Sequence, residues 1–93
     1  TSNLEDNTDG PVTTFTATNA IIEYSITRDS DYRSGVIKVN AGTGTVYLDD
    51  EYSGVDCGVI LDVTTSAGVN TLEYTTSSTG FDATLLYSIN YFS

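Results

Sequence analysis

Residues 83–92, ATLLYSINYF, decide the fold. Ala83, Leu85, Tyr87, Ile89 and Tyr91 fall on one face, and Thr84, Leu86, Ser88, Asn90 and Phe92 on the other. A period of two is that of an extended strand, and so long a strand with one apolar face belongs in the middle of a sheet. Residues 20–28 repeat the pattern, with Ile22, Tyr24 and Ile26 opposite Ile21, Glu23, Ser25 and Thr27. Ile37 and Val39 stand opposite Val36 and Lys38, Val46 pairs in phase with Leu48, and Val59, Leu61 and Val63 alternate with Ile60, Asp62 and Thr64. Residues 72–75 read as one further strand. Between these runs lie Gly-, Ser-, Asn- and Asp-rich clusters at 29–35, 41–44, 50–58, 66–70 and 77–80, the spacing of an antiparallel two-sheet protein. The expectation is an all-β antiparallel β-sandwich, jelly-roll or Ig-like, of about six to eight short strands over residues 12–93. Residues 1–11, TSNLEDNTDGP, with three acids, two Asn and the single Pro, read as an N-terminal linker or arm. Residues 12–18 read as a Thr-rich edge strand.

The chain has 93 residues, enough for one domain. Thr and Ser supply 26 positions and Tyr 7, which favours pleated strands over helices. Thirteen Asp and Glu against three Lys and Arg give a net charge of −10, which opposes binding to nucleic acid or anionic lipid. No apolar run is long enough to cross a bilayer as a helix. With no His and one Cys, a Ser-His-Asp triad, a Cys-His pair, a His metal cluster and an internal disulfide are all excluded. The polar start at Thr1, without a basic then apolar pattern, reads as a fragment or a processed chain.

Carboxylates cluster at Asp29 and Asp31 and at Asp49, Asp50 and Glu51, and oxygen-rich loops of this kind are what calcium requires. The EF-hand spacing is not met, so the plainer reading is a set of solvated loops and no cofactor. Two acids also suffice for glycoside hydrolysis, but no carboxylate here has an apolar setting that would raise its pKa. No enzymatic activity is expected. Tyr24, Tyr87 and Tyr91 lie in phase with aliphatic residues and read as core. Tyr32, Tyr47 and Tyr52 lie in or beside loops, where with Asp29, Asp31 and Asn40 they could stack on a sugar or a protein partner. Arg28, Arg33 and Lys38 put all the positive charge of the chain on one hairpin, for cross-strand pairs with Glu23 or with acidic loops of a neighbouring copy. Ile21 and Phe92, on the polar faces of their strands, suggest a second contact surface and oligomerisation. Cys57 reads as a small buried residue.

Residues 20–92 resemble a small β module recurrent in bacteriophage virion proteins, often at the C-terminal end of tail fibres and appendages. The resemblance is carried by IIEYSITRDSD at 21–31, SGVIKV at 34–39, VYLDDEYSGVDCGVILDV at 46–63 and GVNTLEYTTSSTGFDATLLYSINY at 68–91. Cys57 departs from it, standing where a small residue such as Ala is expected. The resemblance implies a structural module on the surface of a virion, contacting other virion proteins and assembling as a homo-oligomer, with a trimer favoured. It implies no catalytic residues. The loops at 29–34 and 49–58, with Tyr32, Arg33, Tyr47 and Tyr52, are the expected contacts with neighbours or a host surface glycan. Two other roles are compatible with the same residues: a capsid decoration or head-fibre protein, and a carbohydrate-binding or adhesin-like module.

Overall fold

The computed structural model describes residues 2–42 and 45–92. Eight strands, β1 (Ser2–Leu4), β2 (Asp9–Phe15), β3 (Asn19–Arg28), β4 (Asp31–Asn40), β5 (Tyr47–Gly54), β6 (Val59–Ser66), β7 (Val69–Thr76) and β8 (Ala83–Tyr91), form two antiparallel sheets. One has the order β1-β8-β3-β4-β5 and the other β2-β7-β6. The chain is therefore an all-β sandwich, and the alternating runs of the sequence are its strands.

The facing sides of the two sheets supply the core. Ala20, Ile22, Tyr24 and Ile26 of β3, Ile37 and Val39 of β4, and Ala83 and Leu85 of β8 meet Phe15, Val59, Leu61, Val63, Leu72 and Tyr74. Each fully buried Leu, Ile or Val here contributes about 1.5–3 kcal/mol of transfer free energy. As the alternation of residues 83–91 predicts, β8 is an interior strand, between β1 and β3. Its far end emerges from the sandwich, so Tyr91 is exposed rather than core, with its ring 6.2 Å from that of Phe15.

The structure corrects the sequence reading in four places. Residues 1–11 are not simply a linker: Ser2–Leu4 pairs with the Ala83 end of β8, Leu4 is fully buried, and β2 already begins at Asp9. The Thr76 hydroxyl fixes this segment by donating to the Glu5 carbonyl and accepting from the Thr8 N–H, while the Thr76 N–H donates to the Thr8 carbonyl. The expected strand at 12–18 ends at Phe15 and carries a register shift between Pro11 and Thr13. The seven-residue turn expected at 29–35 is only Asp29-Ser30, because Arg28 pairs directly with Asp31 and Asp29 takes a left-handed φ of 53°. The loop expected at 50–58 is largely strand: β5 pairs with β4 residue for residue from Asn40–Tyr47 to Arg33–Gly54. The connection before it contains Thr43 and Gly44, which lie outside the described residues.

Candidate functional site

On β3 every second residue from Ala20 onward points between the sheets, and the series ends at Arg28. On β4 the inward series runs from Val39 back through Ile37 and Gly35 to Arg33. The period of two thus delivers both arginines into the same end of the sandwich, where each is only 3% exposed. A buried guanidinium is tolerated only when its N–H groups and its charge are answered. For Arg28 they are. Nε donates to the Phe81 carbonyl, Nη1 to the Cys57 and Gly58 carbonyls, and Nη2 to the Ser77 carbonyl and the Asp6 carboxylate. All five of its N–H groups are used. Asp6 also accepts from the Thr79 and Gly80 backbone N–H groups. These two amides, Thr79 foremost, and Arg28 hold its carboxyl below the ordinary aspartate value.

Arg33 forms a second junction. It donates from Nε to the Tyr24 hydroxyl at 3.1 Å, from Nη1 to the Asp56 and Val59 carbonyls, and from Nη2 to Asp50 at 2.9 Å. Its guanidinium carbon lies 4.0 Å from the centre of the Tyr52 ring, within cation–π range. The Tyr24 hydroxyl donates to Asp50 at 2.7 Å. Burial, and then that bond to a carboxylate, push the phenol well above its ordinary value. Gly35 belongs to the same junction, since a Cβ there would lie 2.6 Å from the Tyr24 oxygen and 2.8 Å from the Glu51 carbonyl.

The six residues expected to make contacts separate into three places. Ile21, Tyr47 and Phe92 come together, lining one groove of about 400 Å³ with Lys38, Asn40 and Asp49. Tyr32 lies at the opposite end of β4 and is 65% exposed. Tyr52 covers Arg33 from the edge of the sheet, and its hydroxyl donates to Asp56 at 3.4 Å. Arg33 is withdrawn from solvent, and neither arginine forms the surface cross-strand pair expected of it. Sequence reasoning missed this because exposed arginines are the rule; the available signal was their inward phase on an alternating strand. Tyr32 and Tyr47 lie at strand ends beside a turn and a connection, and Tyr52 lies within β5.

The carboxylates weighed as calcium ligands do not converge. Asp49, Asp50 and Glu51 are consecutive on β5, so Asp50 turns inward to Arg33 while its neighbours face the other side. Asp29 lies in the Asp29-Ser30 turn, and Asp31 opens β4 opposite Arg28. Among the described residues no group of three or more His, Cys, Asp or Glu is placed to hold a metal ion. Cys57 is buried, in a left-handed conformation with φ of 63°. Burial, then the charge of Asp31, raise its thiol above the usual range.

The surface that remains is acidic, with one exposed basic side chain, Lys38, in a chain of net charge −10. Its apolar features include the groove at Ile21, Tyr47 and Phe92 and exposed residues such as Leu86 and Ile60. No family model, curated protein or solved structure matches the chain.

Proposed function

We propose that this domain is a non-enzymatic structural module of a virion fibre or appendage, acting in assembly and attachment to a host surface. The observation that carries the reading is the division of labour among its polar side chains. The arginines and their carboxylates are consumed inside the fold, holding loops together, while Tyr32, Tyr47 and Phe92 remain outside for contact, with Ile21 half-buried beside the last two. A rigid sheet presenting aromatic side chains suits recognition of a protein or glycan surface. The resemblance of residues 20–92 to phage virion modules supplies the setting.

Antibody raised against the purified domain tests it by electron microscopy of virions from the source phage. Label at the fibres or appendages is the expected result. Label spread over the shell would favour the capsid-decoration reading, and particles without label would remove the virion assignment.

A further inference from the structure

We propose that the outer edge of β5 is a docking site for an extended, basic segment of a different protein, which joins the five-stranded sheet as a sixth strand. The inference starts from the hydrogen-bond parity of the strand. Val55 continues the β4–β5 register and donates its N–H to the Tyr32 carbonyl. In an antiparallel ladder residues alternate between those bonded to the neighbour and those facing away. Ser53, Glu51, Asp49 and Tyr47 therefore bond to β4, and Leu48, Asp50, Tyr52 and Gly54 turn their N–H and C=O groups to the open side.

Among the described residues nothing pairs beyond β5 in the sheet. Other edges are blunted. β1 has three residues, β2 carries Pro11 and a register shift, and β6 has its Val59 carbonyl taken by Arg33 and its Val63 N–H by the Asp62 carboxylate. β5 runs eight residues in unbroken register, with no Lys, Pro or bulge.

Charge chooses the occupant. An added strand would set its side chains opposite Asp49 and Glu51 on one face, and opposite Leu48, Asp50 and Tyr52 on the other. Asp50 is already answered by Arg33. Asp49 has Lys38 across from it on β4, whereas Glu51 has only Val36. The complementary strand carries Lys or Arg at two alternate positions, and apolar residues opposite Leu48 and Tyr52. A second copy of β5 is opposed by charge in the two registers that overlap it most. A two-fold at Asp50 sets Asp49 against the copy's Glu51, and one at Glu51 sets two glutamates together. Nor can another part of this chain serve, because its cations, Arg28, Arg33 and Lys38, are spaced by five and two of them are buried.

The test is a nitrogen-15 NMR titration of the whole domain with the acetylated, amidated peptide Thr-Val-Lys-Thr-Lys-Val-Thr. Saturable binding should protect the Leu48, Asp50 and Tyr52 amides from hydrogen exchange, with little change at Asp49 and Glu51. Asp49→Asn with Glu51→Gln should weaken it by roughly tenfold, and added salt should weaken it in the parent domain. Leu48→Pro removes an outward N–H without touching the β4 ladder and should also weaken binding. No protection at millimolar peptide would overturn the proposal. So would equal binding of the peptide with Glu for Lys, or a stable β5–β5 dimer of the domain at neutral pH.

Discussion

β4 has two partners that it treats alike in backbone and differently in everything else. It pairs with β3 over ten residues and with β5 over eight, both antiparallel and both without a register break. Yet β3 buries Ala20, Ile22, Tyr24, Ile26 and Arg28, while β5 has no buried residue. The same ladder of hydrogen bonds makes both strands; packing against the second sheet distinguishes them. A net hydrogen bond contributes about 1 kcal/mol or less, whereas a buried aliphatic side chain contributes two or three times that. Stability should therefore be concentrated on β3 and nearly absent from β5, except where β5 reaches Arg33 through Asp50 and Tyr52.

The sharpest way to break this contrast is at the inner end of β3. Arg28→Ala would take from four loop carbonyls and from Asp6 the one donor they share. The expected loss is about 3–5 kcal/mol in a urea unfolding curve. Arg28→Lys should recover only part, since one ammonium cannot answer five acceptors arranged for a planar fork. A loss under about 1 kcal/mol for Arg28→Ala would show that the loops hold themselves.

Next comes a pair of substitutions on one strand. Asp50→Ala should cost about 2–3 kcal/mol, because Arg33 stays buried with its carboxylate removed. Leu48→Ala, two residues away on the same face but exposed, should cost under about 0.5 kcal/mol. Equal effects at the two positions would mean that β5 is stabilised along its length rather than at a single junction.

Acid and alkali sharpen the comparison from outside. The Asp6 carboxyl is lowered in the fold, so its contribution is present above the ordinary carboxylate range and is lost as pH falls through its own lower value. Asp6→Asn should flatten that part of the acid limb of the urea midpoint. The Tyr24 phenol is raised, so its contribution is complete below the ordinary tyrosine value near 10 and declines as pH rises beyond it. Tyr24→Phe should reduce the alkaline decline while lowering stability at neutral pH through loss of the Asp50 and Arg33 bonds. An unchanged alkaline limb in that variant would place the loss elsewhere, Cys57 being the next group with a raised value.

The same contrast explains what the sequence made legible. β3, β6 and β8 announce themselves because a buried face forces Ile22, Ile26, Leu61 and Leu85 onto alternate positions. β5 is only half legible: Leu48, in phase with Val46, marks its start, but with neither face buried the rest carries no periodic signal and its acids imitate a loop. β1 is silent for another reason. Leu4 is alone among polar neighbours, and its burial comes from pairing with β8 some eighty residues away. The candidate contacts divide likewise. Ile21 and Phe92, out of phase with their own strands, were visible as anomalies and do meet Tyr47 in one groove. Arg33 looked like surface because composition says nothing about which way a charged side chain points.

A small gain is expected in the turn between β6 and β7, where Ala67 and Gly68 are both left-handed with φ of 52° and 80°. Ser66 and Val69 pair directly, so this is a two-residue hairpin loop of the type that requires both central residues at positive φ. Gly68 meets that demand freely, whereas Ala67 has a Cβ that costs roughly 1–2 kcal/mol in this conformation. Ala67→Gly relieves the strain but gives the unfolded chain about 0.4–1 kcal/mol more conformational entropy to lose. The difference is a net gain of about 0.5 kcal/mol, a rise in Tm of roughly 2–4 °C for a domain of this size. Ala67→Asn tolerates the same φ without glycine's entropy and should equal or exceed it. A lower Tm for both variants by calorimetry would mean that Ala67 is not strained, and that its methyl group makes a contact worth more than the turn geometry.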